Sequence, residues 1–173
     1  MIITECQIPS GSVLNRKLVE TAYFWDAYRA PQHHFRSNIV DSFFSVFGHL
    51  PGWLKAVLIL RNTVAKWCGL ETPTTSEILG THRKTAYAVG DKIGPWPIFS
   101  LTETELVAGR DNKHLDFRLS LMRVSHLGAA CLVVSTVCRV HNRAGKIYLF
   151  FIVPIHKWGV KLLISRAIKS GRL

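Results

Sequence analysis

Spaced by its apolar positions, the chain divides into a helical first half and a strand-rich second half. The opening residues keep no sustained period, and Ile8-Pro9-Ser10-Gly11-Ser12 reads as a loop. Tyr23 to Ala30 is rich in aromatic residues and stops at Pro31, which predicts a first strand. Ile39, Phe43, Val46 and Phe47 recur at helical spacing before Gly48, predicting a helix over 39–47. Pro51-Gly52-Trp53 opens a longer helix, whose stripe runs through Leu54, Val57, Leu58, Val64 and Cys68 to a stop at Gly69. From Glu71 to Pro97 the composition shifts to Thr, Ser, Gly and Pro, a long connection fit to carry a flap over a site.

Alternating positions then take over. Ile98 to Ala108 predicts one or two strands, and 109–113 carries hairpin-turn residues. Leu115, Phe117, Leu119 and Leu121 alternate with Asp116, Arg118 and Ser120 in the next strand. After a break near Gly128, Ala129 to Val140 and Lys146 to Val153 read as two more strands. A hairpin loop over 141–145 joins them, and Pro154 ends the sheet. From Ile155 to Ser170 the pattern is helical, with Val160, Leu163, Ala167 and Ile168 on one face and Lys157, Lys161, Ser165 and Arg172 on another. The expected fold is a single α+β domain over 1–173 with an irregular segment over 1–20. In it a long C-terminal helix covers one face of an antiparallel sheet. There is no βαβ alternation and no Gly-rich phosphate loop, which argues against a doubly wound nucleotide-binding fold.

Two expected strands, 129–140 and 147–153, are apolar at both odd and even positions, so both faces of the sheet need cover. A second subunit, the N-terminal segment or the long connection is the available cover, and the expectation is a homo-oligomer, a dimer first of all. The longest apolar run, Leu149 to Ile155, is strand-sized and falls short of the roughly 20 residues a membrane span takes. The N-terminus lacks the basic start and apolar core of a secretory signal. Cys6, Cys68, Cys131 and Cys138 show no C-x-x-C spacing, which points to a reduced, cytoplasmic protein. The composition, 48% hydrophobic and 19% charged, is that of a folded chain rather than a disordered one. Charge adds a direction: the net charge is +11, and residues 117–173 hold ten Lys and Arg with no acid. That asymmetry suggests an anionic surface partner, though no specific nucleic-acid motif is present.

The blocks Gly94-Pro95-Trp96-Pro97, Leu106 to Arg118 (with His114-Leu115-Asp116-Phe117-Arg118), Val140 to Tyr148 and Val153-Pro154-Ile155-His156 together resemble an uncharacterised bacterial family, domain of unknown function 2867, from about Tyr23 to the C-terminus. The order of elements is similar to the helix-grip superfamily, START-like and polyketide-cyclase-like, in which a curved antiparallel sheet grips a long terminal helix. That likeness implies an apolar cavity between sheet and helix, binding a ligand or supporting cyclase-type chemistry. Fold alone does not choose between these.

Arg61 is the residue most out of keeping with its surroundings. It falls on the apolar stripe between Leu58 and Val64, where a buried guanidinium needs a carboxylate (Asp26 or Asp116) or a bound anion. Asp116 and Arg118 share one face of their strand, with Arg139 or His141 as cross-strand partners. The group reads either as a cross-strand ion pair on the outer face or as chemistry, with Asp116 and His141 or His114 as the candidate acid–base pair and Arg118 a holder for an anion. Trp96, between two prolines, is placed to wall a pocket. Tyr148 and His156 complete the candidate ligand contacts. The histidines, including His33-His34, lack metal-site spacing, so neither a metal nor a cofactor is expected. Three functions stay open: a binder of a small apolar or amphipathic ligand, a cyclase, isomerase or dehydratase, and a basic adaptor for membrane or nucleic acid.

Overall fold

Alternation in the second half of the chain builds one antiparallel sheet. The computed structural model describes residues 3–14, 16–32, 38–67 and 83–173, leaving out the side chains at 16, 60, 61 and 64–67. Among these residues the strands are β1 (Thr4–Glu5), β2 (Phe24–Pro31), β3 (Lys92–Ile93), β4 (Trp96–Leu101), β5 (Glu105–Asp111), β6 (Leu115–His126) and β7 (Ala129–Val140). They lie in the order β1-β2-β7-β6-β5-β4-β3. Ile98–Ala108 is therefore two strands, and β5 runs on through Gly109 and Arg110 to Asp111, into the expected turn. The β6–β7 hairpin turns on Leu127 and Gly128, whose φ angles of 51° and 79° are both left-handed.

The helices are α1 (Arg16–Glu20), α2 (Ile39–Phe47), α3 (Gly52–Trp67) and α4 (Arg143–Lys169). β1 and α1 lie in the stretch expected to be irregular. α2 starts at Asn38, whose side chain accepts from the Asp41 amide while the Asp41 carboxylate accepts from the Asn38 amide. Cys68, Gly69, His33-His34 and the part of the long connection up to residue 82 lie outside the described residues.

α4 overturns three expectations. Lys146 to Val153 is no strand, 141–145 is no hairpin loop, and Pro154 does not end the sheet: Arg143–Lys169 is one helix of 27 residues with Pro154 inside it. A run that is apolar at every position carries neither period, so composition alone cannot separate a strand from a helix covered on two sides. Local chemistry does. The Asn142 side chain accepts from the Gly145 amide at 3.0 Å and donates to the Lys113 carbonyl at 3.1 Å, capping the helix onto the β5–β6 turn. Gly145 allows that approach, since a Cβ there would stand 2.5 Å from the His114 carbonyl oxygen. Pro154 is on the exposed side, where water can take the bond its ring removes. α4 is also long and apolar enough to cross a membrane by length and composition, against the expectation that no stretch is, and only 22% of that stretch is buried. α2 and the first part of α3 pass the same measure as a pair but are bent by 87°.

The sheet grips α4 in the helix-grip manner. Its inner face, carrying Tyr28, Leu106, Leu119, Leu121, Leu132 and Val134, packs with α2 and the second half of α4 into the main core. The outer face is covered by the chain's own N-terminal segment. Leu14 packs on Val107 and Val137, and the buried Glu105 carboxylate accepts from the Ser12 and Ser120 hydroxyls and, at 2.8 Å, from the Val13 amide. Both sides of β7 are thus occupied within one chain.

Candidate functional site

Between the inner face, α2, α3 and α4 the side chains do not meet, and a cavity of about 290 Å³ remains. A space of about 80 Å³ adjoins it, sharing Leu115, Phe117, Tyr148, Ile152 and His156 as walls. Alternation explains the lining: Leu115, Phe117 and Leu119 are the inward positions of β6, just as Arg110 is on β5. Trp96 forms an aromatic wall at the start of β4, its ring 5.7 Å from Phe117, 6.2 Å from Phe43 and 6.3 Å from Phe47. Gly159 keeps the α4 side open, since a Cβ built there meets nothing within 4 Å.

Polar groups reach this apolar space at a few points. The Arg110 guanidinium lines it and donates to the Pro95 carbonyl at 3.1 Å. Asn62, buried on α3, lines it as well. His156 looks into both spaces, its ring edge-on to Phe24 at 5.7 Å. Behind it is Asp26, a buried acid on β2, with an oxygen 3.4 Å from His156 Nε2. Thr136, opposite Asp26 on β7, and Tyr28 are fully buried beside that carboxylate. The Tyr28 hydroxyl approaches it without hydrogen-bond geometry, and Thr136 Oγ1 has no hydrogen bond among the described residues. Burial first, and the Asp26 charge second, push the Tyr28 phenol well above its ordinary range. Behind the His156 wall, a carboxylate and two hydroxyls are thus held out of water.

Trp96, Tyr148 and His156 line the cavity. The Arg61 side chain lies outside the described residues. Asp116 and Arg118 stand on the outer face, where parity puts them away from the cavity. Arg118 donates to both oxygens of Asp111 and lies 3.6 Å over the Phe99 ring. Asp116 faces Arg139 in register and pairs with His141 Nε2 at 3.0 Å on that same face. His114 Nδ1 meets the Asn142 side chain, in the cap of α4. Among the described residues no three His, Cys, Asp or Glu side chains converge as a metal ion requires.

Sequence reading missed Asp26, Arg110 and Asn62 as site residues. The signal was present, because each is a lone polar residue on an otherwise apolar parity or stripe: Asp26 between Phe24 and Tyr28, Arg110 beyond Leu106 and Ala108, Asn62 one turn from Leu58. It was followed only at Arg61.

A family model described as "Protein of unknown function (DUF2867)" matches residues 18–163. No curated protein and no solved structure matches the chain.

Proposed function

The chain belongs to that family of unknown function, and from its site we propose that it binds a small, largely apolar ligand with one polar or anionic end in the cavity between sheet and α4. The carrying observation is the cavity itself, placed where a filled core would otherwise stand. Its lining is mostly apolar, with Phe43, Phe47, Leu54, Phe117 and Leu163 among the walls, so an apolar body gains by displacing the water that would otherwise enter. Arg110, Asn62 and His156 supply a charge and hydrogen bonds for its polar end.

The test is titration of the full chain with a fluorescent medium-chain fatty acid, alongside melting curves with unlabelled medium-chain acids and alcohols. Saturable binding is expected, with a melting temperature that rises with ligand concentration. Gly159→Phe fills the cavity and should weaken binding by about tenfold or more without unfolding the chain. No saturation and no rise in melting temperature would remove the reading.

A second reading has its own observation, the His156 imidazole backed by a buried carboxylate and facing the cavity. In it Asp26 orients His156, which takes a proton from the bound ligand in an isomerase- or dehydratase-type step. Asp26→Asn separates the two: binding persists in both, and a lost ligand conversion appears only in the second.

A further inference from the structure

We propose that the first half of α4 is a docking face for an anionic lipid bilayer, set around the mouth of the cavity. Ile147, Phe150, Phe151, Pro154, Ile155 and Trp158 recur at intervals of three and four and so fall on one side of the helix. All six are exposed, Phe150 by 72% and Phe151 by 65%, and those two rings stand edge to face at 5.3 Å. Trp53 of α3, also exposed, carries the patch across to the neighbouring helix through a ring contact with Trp158 at 5.5 Å. A patch this contiguous marks an interaction site.

Charge decides its occupant. Arg143 and Lys146 lie one turn before Ile147 and Phe150 on the same side, and residues 117–173 hold ten bases and no acid. A second copy, docked by two-fold symmetry, would set this positive charge against itself. A bilayer with anionic headgroups brings the opposite charge, accepts the phenylalanines at the acyl boundary and holds the tryptophans at headgroup level. α4 lies on such a surface rather than crossing it, because Leu149, Val160, Leu163 and Ile164 on its other side are buried in the fold. Ile155 of the patch and the exposed Val57 of α3 both line the cavity, so docking sets the cavity mouth against the acyl layer. That loading role rests on the cavity reading; the docking face stands without it.

The experiment is co-sedimentation of the full chain with vesicles of phosphatidylcholine, alone or with phosphatidylglycerol added, read together with tryptophan emission. Expected are binding to the anionic vesicles, a blue shift of emission and a fall in binding as salt rises. Phe150→Glu with Phe151→Glu should weaken binding by about tenfold or more at an unchanged melting temperature, and Lys146→Glu should weaken it less. Gly159→Phe should leave vesicle binding intact, so a failed cavity and a failed docking face give different results. The proposal is overturned if the chain does not sediment with anionic vesicles, or if the paired glutamates leave binding unchanged. A dimer in solution that the same glutamates convert to monomer, without vesicle binding, would assign the stripe to a second copy instead.

Discussion

The two halves of α4 have similar apolar content and opposite fates. In the second half Val160, Leu163, Ile164 and Ala167 are buried against the sheet and α2, with Ile164 and Ala167 fully so. In the first half Ile147, Phe150 and Phe151 stand in water. Hydrophobicity supplies the drive to leave water, but a surface must be there to receive the residue; the cavity lies under Tyr148, Ile152 and His156, while among the described residues nothing covers the side of the helix that carries Ile147, Phe150 and Phe151. Val160, Leu163, Ile164 and Ala167 hold the fold, with Leu149 from the first half, while Ile147, Phe150 and Phe151 are free for binding.

Three measurements sharpen or break this contrast. The largest effect is expected from Ile164→Ala, which empties a fully buried site and should cost about 2–5 kcal/mol in denaturant unfolding. Phe151→Ala, on the exposed stripe, should stay within roughly 0.5 kcal/mol. Equal losses at the two positions would end the comparison.

Next is Gly145→Ala. The first half of α4 is held by its cap and by Leu149, which packs with Leu115 and Cys138, and a Cβ at 145 would strike the His114 carbonyl oxygen at 2.5 Å. A loss of about 1–3 kcal/mol is expected, with hydrogen exchange rising first in the opening turns of α4. Faster exchange in the second half first would contradict the division.

The smallest effect concerns pH. Burial, then the Asp26 charge, raises the Tyr28 phenol, so the folded chain keeps that proton where the unfolded chain, titrating at its ordinary 10.0, loses it. The stability this contributes is complete below pH 10.0 and declines as pH climbs beyond it. Tyr28→Phe should flatten that decline in melting temperature relative to the parent chain, and an equally steep decline in both would place the phenol outside the buried wall. Lys161, whose ammonium lies 5.0 Å over the Tyr28 ring, ties this wall to the second half of α4.

Local pattern made much of this legible. The strand ending at Pro31, the helices after Asn38 and Pro51, and the alternation of 115–121 were readable because each has a single period and a chemical stop. Residues 147–153 were not, because an evenly apolar run satisfies both periods, and only the cap at Asn142 and the close approach at Gly145 select the helix. The Asp116–His141 pair was legible as a pair, since cross-strand register follows from the hairpin. Its place on the outer face was one of the two readings the alternation left open, and the structure selects it.

Composition and periodicity thus determined the α+β class, the terminal helix as the sheet's cover, and the one-sided positive charge. These depend on neighbours in the chain, which the sequence states directly. Tertiary structure alone decided that the N-terminal segment covers the outer face, that Asp26 rather than Asp116 meets a histidine beside the cavity, and that half of an apolar helix faces water. Each of these depends on which surfaces distant residues bring together, and a parity rule tells only that two residues share a face, never which face is inside.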